Sequence, residues 1–232
     1  MHSIRVIVPL HNRGNDVTKL LMNLERLSVR VVVVDHHSLD IDFPSLLPTL
    51  DLKVDVIQTD GPFNLAKALQ IGCASIQDPN AIVVLIDADT VFDDAHETFK
   101  WIWQTLQDPS CYLCPNVSTE ARPGPVLTQA HRGYAAEFNG RVWVPTTDPR
   151  GAGFIACRLK HFRKSGGYLN SDLLDARGEY WGWADTHLME RLDSIGLKRI
   201  RPTLADVWLR KNDRDVQNKW YSKGGGSEWW EK

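Results

Sequence analysis

The chain opens on alternating blocks of apolar and polar positions. Residues 4–9 form an apolar run closed by proline, which predicts a strand leading into the polar loop 11–15. Asp16 stands where a helix N-cap is expected, ahead of Val17, Leu20, Leu21, Leu24 and Leu27 at helical spacing. Residues 29–34 are nearly all valine and end in Asp35, the composition of a strand buried on both faces. A third strand is predicted over 54–57, then turn residues Asp60, Gly61 and Pro62, a helix over 65–76 and a strand over 81–86. Such alternation implies right-handed crossovers and a mostly parallel sheet, an α/β fold. The proline-rich stretch 110–150 predicts short strands and a long loop. Residues 151–157 read as a strand with a glycine lead-in, and 185–195 as a helix turning Leu188, Leu192 and Ile195 inward. The glycine-rich tail 224–232 takes no assignment, and the chain has no internal repeat.

Ligands of parallel sheets bind outside the carboxyl ends of the strands. His11 to Arg13, Asp35, Asp60 to Asn64, and the pair Asp87 and Asp89 all fall at such ends. The last pair is chemically odd. Residues i and i+2 of an extended chain share a face, so two carboxylates would repel there, and burying either without a partner is costly. A divalent cation removes that penalty. A solvated turn capping the next helix would also explain the pair, but not the convergence of the other polar residues on the same edge.

Composition narrows the classes only modestly. At 232 residues, 43% hydrophobic, 24% charged and a formal charge of −2, the chain reads as a soluble globular protein without global affinity for polyanions. The stretch 191–223 differs, with nine Lys/Arg against four Asp, a local excess of +5. Of the four cysteines, Cys111 and Cys114 have C-x-x-C spacing without a second pair to complete a zinc site, and read as part of a short buried strand. Neither a signal peptide nor an apolar run of transmembrane length is visible, so a reducing, cytoplasmic location without a membrane span is expected.

Four segments, in order, resemble inverting glycosyltransferases of the GT-A fold, most closely the β-1,4-galactosyltransferase family and related family-2-like enzymes. Pro9-Leu-His-Asn-Arg13 resembles P-F-R-x-R, Phe63-Asn-Leu-Ala-Lys67 is similar to F-N-R-A-K, and Asp87-Ala-Asp89 to D-V-D. Trp181-Gly-Trp-Ala-Asp185, followed by Arg191-Leu192, resembles W-G-W-G-G-E-D…R-L, and Arg201-Pro202 and Arg214-Asp215 match an R-P and an R-D near that family's C-terminus. The order and spacing of the set carry more weight than any one motif.

The resemblance implies one GT-A domain: a Rossmann-like, mostly parallel nucleotide-binding sheet with a smaller C-terminal acceptor-binding part. It assigns residues 1–110 to the nucleotide-sugar half and 111–232 to the acceptor-binding and catalytic half. It implies metal-dependent, inverting transfer of a sugar from a nucleotide-diphosphate donor, UDP-linked by analogy, to a hydroxyl. The nucleotide-sugar contacts would be Pro9, His11, Arg13, Asp35, Phe63, Asn64, Lys67, Asp87 and Gly153. Mn2+ or Mg2+ would be held by Asp89 and Asp87, with Asn212 where the family has histidine and Asp213 or His187 as substitutes. Asp185 would be the general base, a role compatible with capping the helix that it begins. Tyr180, Trp181, Gly182 and Trp183 would receive the acceptor, since indole faces suit the apolar side of a pyranose.

Departures from the family pattern are Leu65 and His11, which replace arginines, and Ala184, which replaces the acidic residue before the base. The acceptor is open among a glycan, a lipid-linked intermediate, a protein hydroxyl and, from the +5 stretch, a hydroxylated DNA base. Two other classes stay in view: a nucleotidyltransferase, which would need a glycine-rich phosphate loop not seen near the N-terminus, and a sugar-binding GT-A domain without activity, which Asn212 and Ala184 would suit.

Overall fold

The computed structural model describes residues 3–61, 63–92, 94–120, 136–138, 141–145, 153–168, 184–201 and 203–209. Its first half is β1 (Ile4–Leu10), α1 (Gly14–Leu24), β2 (Val29–Asp35), α2 (Phe43–Leu46), β3 (Lys53–Gln58), α3 (Leu65–Ala74), β4 (Ile82–Ile86), β5 (Thr90–Phe92) and α4 (Ala95–Thr105). Then come β6 (Cys111–Leu113), β7 (Asn116–Glu120), β8 (Ala136–Phe138), β9 (Arg141–Pro145), β10 (Phe154–Arg158), α5 (Leu159–Lys164), α6 (Ala184–Ser194), β11 (Lys198–Ile200) and β12 (Thr203–Leu209).

The main sheet has seven strands in the order β11-β6-β10-β4-β1-β2-β3. β4, β1, β2 and β3 run parallel, as the alternation of elements predicts, while β10 runs antiparallel to both β4 and β6. A second sheet, β5-β12-β7-β9-β8, joins the strand after the aspartate pair to the middle and end of the chain. The predicted strands of the proline-rich stretch are therefore present, and Cys111 and Cys114 are buried and unpaired.

Each central strand feeds two apolar layers, because successive side chains leave opposite faces. Val31, Val33, Ile82, Val84, Ile86, Phe154 and Ala156 pack with α1, α2 and α4 on one face. Ile7, Val32, Val34, Val83, Leu85, Ile155 and Cys157 pack with α3, α5 and α6 on the other. This two-sided burial is why β2 reads as a run of valines rather than an alternation. Gly72 of α3 rides directly on the sheet, where a Cβ would lie 2.3 Å from Ile7 Cγ2.

Four local expectations change. Helix α1 begins at Gly14, and Asp16 lies in its first turn, not at its cap. The Gly14 N–H is instead satisfied by Asp40 Oδ2 at 2.8 Å, a donor–acceptor pair from the loop after β2 that helical periodicity does not reveal. Asp185 likewise lies inside the first turn of α6, which starts at Ala184, and Ile195 falls just past that helix. Asp87, Ala88 and Asp89 form a turn closed by Thr90 N–H donating to Asp87 O at 3.1 Å, so the pair is not on one extended strand. Beyond that turn, α4, capped by Asp94 accepting from Glu97 N–H at 2.9 Å, buries Phe99 and Ile102 against the same layer as β5.

Candidate active site

The site forms where the parallel strands end. Strand alternation continues from Val83 and Leu85 to Asp87, which directs it to the layer that α6 covers. Gly153, the residue before β10, meets it there. Asp87 N–H donates to Gly153 O at 3.1 Å, and Gly153 N–H donates to Asp185 Oδ2 at 2.9 Å. Gly153 has φ +64°, and a Cβ on it would lie 2.3 Å from Asp87 Oδ2. A side chain there would be strained by that backbone and would press on the Asp87 carboxylate. One residue therefore ties the aspartate turn to the first turn of α6.

The electrostatics are unbalanced. Burial, then Asp89 and Asp185, push the Asp87 carboxyl well above its usual range, with Arg13 opposing. Burial also raises Asp89, against the pull of Arg13, whose Nη1 lies 2.8 Å from Asp89 Oδ2. Burial raises Asp185, and the Gly153 N–H offsets part of the rise. Three carboxylates with so little countercharge suit a hard divalent cation with oxygen ligands. Among the described residues no group of three or more His, Cys, Asp and Glu is clustered to hold a metal alone. Asp87 and Asp89 would thus need further oxygens, from a ligand or from residues outside the described ones, to complete a shell.

The other side of the strand ends is aromatic and better satisfied. His11 stacks on Phe63 with centroids 5.6 Å apart and 19° between planes, and meets His36 edge-on at 5.5 Å. His11 Nδ1 lies 2.7 Å from His36 O, so that nitrogen carries the proton and a neutral ring keeps Nε2 as an acceptor. Burial, with His11 and His37 nearby, lowers the pKa of His36. Asp35 is buried with both oxygens engaged: Oδ1 accepts from Ser38 N–H at 3.2 Å and Ser38 Oγ–H at 2.5 Å, and Oδ2 from Gln58 Nε2–H at 3.0 Å. Asp35, Ser38 and Gln58 border an open depression of about 420 Å³ whose other walls include Leu39 and Phe43.

Of the sequence candidates, Arg13, Asp87, Asp89, Gly153 and Asp185 come together, and His11 and Phe63 form a second group beside them. Pro9 lies in β1 past its last pair with β4, and Asn64 caps α3 by accepting from Lys67 N–H at 2.7 Å. Lys67 is exposed in the first turn of α3, and His187 is partly buried on α6. Tyr180, Trp181, Gly182, Trp183, Asn212 and Asp213 lie outside the described residues. Within the basic stretch, Arg191 Nη1 donates to Gly167 O at 3.3 Å, and Arg199 bonds Tyr112 Oη at 2.7 Å and pairs with Asp193, so part of that charge is structural. Sequence reasoning did not single out Ser38, Asp40 or Gln58. Asp40 and Ser38 follow Asp35 within five residues in a polar run, the one signal that could have marked them.

The profile of glycosyl transferase family 2 matches residues 5–139. No curated protein matches in sequence. Among solved structures, a mannosyltransferase from Pyrobaculum calidifontis in complex with GDP-Man and Mn2+ superposes with a TM-score of 0.60 at 20% identity, covering 96% of this chain and 61% of that one. Staphylococcus aureus TarS, residues 1–349, gives 0.57 at 18% identity over 90% of this chain and 60% of that chain. Drosophila β1,4-galactosyltransferase 7 in complex with manganese, UDP-Gal and xylobiose gives 0.53 at 15% identity over 94% and 74%. The present chain thus spans about three fifths of the length of the first two. All three likenesses are of fold, and the fold is GT-A.

Proposed function

Because the chain belongs to glycosyl transferase family 2, we propose that it transfers a sugar from a nucleotide-diphosphate donor to a hydroxyl acceptor, with inversion at the anomeric carbon. The donor in this reading is a UDP-sugar and the general base is Asp185. The observation that carries it is the junction at Gly153, which joins Asp185 and Asp87 through the N–H and the C=O of one residue.

With Oδ2 held by Gly153, Asp185 keeps Oδ1 for the proton of the attacking hydroxyl. Its raised pKa makes it a stronger base than an exposed aspartate, the direction that general-base catalysis near neutral pH requires. Oxygen attack from the face opposite the diphosphate gives a single displacement, so the configuration inverts. A Mn2+ or Mg2+ on Asp87 and Asp89 supplies neutralising charge to the departing diphosphate when bound. The partly exposed His11 ring, backed by the buried Phe63 and two residues from Arg13, would receive the nucleoside.

Asp185→Asn tests the assignment. Transfer is expected to fall by about 10²–10⁴-fold while UDP and Mn2+ binding persist. Unchanged turnover would remove Asp185 from the chemistry. A thermal-shift panel of nucleotide sugars with and without Mn2+ tests the donor, since a ligand of the native state raises the midpoint in proportion to occupancy. Stabilisation by GDP-linked sugars but not UDP-linked ones would overturn the choice of base.

A further inference from the structure

We propose that Arg13 is a displaceable internal counter-cation for Asp89, which holds that carboxylate until a divalent cation and a nucleotide diphosphate arrive together, the cation taking Asp89 and the diphosphate taking the guanidinium. The inference rests on the donor and metal reading above and adds to it a reason for the two ligands to bind interdependently.

The geometry is that of an arm on a fixed base. Arg13 Nη1 sits 2.8 Å from Asp89 Oδ2, with side-chain exposures of 24% and 13%. The backbone on either side is pinned. Asn12, at φ 49°, donates its N–H to Ser38 Oγ at 2.9 Å and accepts Leu39 N–H on Oδ1 at 3.0 Å. Gly14 N–H is held by Asp40, and a Cβ on Gly14 would lie 2.3 Å from Asp40 O. The loop cannot follow a ligand without breaking these contacts. The side chain, reached by solvent on one side, is free to swing about its own torsions.

Competition follows from charge. A guanidinium and a divalent cation seek the same carboxylate lone pairs, and two cations placed within a few ångströms repel. Arg13 therefore weakens binding of a bare metal ion. A diphosphate reverses this, because it offers the planar, bidentate anion that guanidinium prefers. Once the arm moves to the diphosphate, Asp89 is open to the metal. Asp87 and Asp16 add negative charge around Asp89, so the carboxylate does not stay without a cation in either arrangement. Linkage makes the effect reciprocal: nucleotide strengthens metal binding and metal strengthens nucleotide binding by the same factor.

The test is Mn2+ affinity of the full chain, read from the free-ion paramagnetic resonance signal with and without UDP. It compares wild type, Arg13→Met, which keeps the aliphatic stem, and Asp89→Asn. Without UDP, Arg13→Met is expected to bind Mn2+ about tenfold more tightly than wild type. UDP is expected to tighten Mn2+ binding to wild type at least about fivefold and to do so less in Arg13→Met. Equal or weaker Mn2+ binding by Arg13→Met, with binding lost in Asp89→Asn, overturns the displacement while leaving the metal reading in place. Failure of wild type to bind Mn2+ even with UDP overturns both. Should Arg13→Met not fold, Arg13→Gln is judged by the same criteria.

Discussion

Asp35 and Asp87 make an instructive pair. Each closes or follows a buried parallel strand, β2 and β4, and β1 runs between them. Asp35 is 2% exposed, yet Ser38 and Gln58 satisfy both of its oxygens. Asp87 has its N–H satisfied by Gly153, but among the described residues its carboxylate meets two other carboxylates and the single guanidinium of Arg13. A strand-end aspartate with internal donors is a brace. One crowded by like charge, with a single guanidinium as countercharge, is held at a cost that a bound cation relieves. Residue type and position along the strand do not separate the two; their partners do.

Opposite substitutional effects would sharpen the contrast. Asp87→Asn is expected to cut turnover by at least about 10²-fold, yet raise the stability of metal-free protein by about 1 kcal/mol. Asp35→Asn is expected to lower stability by about 1–2 kcal/mol, because its amide turns a donor toward the donor of Gln58. Chemical denaturation of both variants without metal reads the two signs, and the same sign for both would break the comparison.

Gly153→Ala comes next in size. The left-handed φ and the 2.3 Å approach to Asp87 predict a loss of about 1–3 kcal/mol together with a fall in turnover. A variant of native stability and full activity would show that the junction is not needed. Asn64→Ala should cost about 1 kcal/mol through the lost cap of α3, measurable by thermal unfolding. A drop in UDP affinity larger than the drop in stability would give Asn64 a ligand role as well.

The smallest effect concerns pH. The folded-state pKa of Asp87 is raised above its unfolded value, so its stabilising contribution is present below the unfolded value and lost as pH rises through the folded one. Asparagine does not titrate. The stability advantage of Asp87→Asn over metal-free wild type is therefore expected to shrink as pH falls from the raised folded-state pKa of Asp87 to the ordinary carboxylate range of the unfolded chain. A gap that does not change with pH would remove burial and like charge as its source.

Much of this arrangement is legible in the chain. Valine runs and helical spacing place β1 to β4 and α3 within a residue or two and α1 about three residues late, and the rule for parallel sheets puts Arg13, Asp35, Asp87 and Asp89 on one edge. What periodicity leaves out is direction and meeting. Residues 151–157 read as a strand with a glycine lead-in, but nothing in them signals that the strand found at 154–158 runs antiparallel. The contacts of Gly153 with Asp87 and Asp185, and of Arg13 with Asp89, join residues far apart in sequence, and no local pattern encodes them. The Asp16 cap fails for the same reason, since its substitute Asp40 comes from another loop.

The reversed strand β10 has a consequence for how the molecule is assembled. It lies between β4 and β6, so a growing polypeptide that has emitted only β1 to β4 exposes the bare rim of β4, five apolar residues long, to whatever strand reaches it first. Correct closure waits for residues 154–158 to be synthesised and slotted in beside that rim. A fragment stopping short of them would keep its Rossmann-like opening and be prone to stick to its own copies.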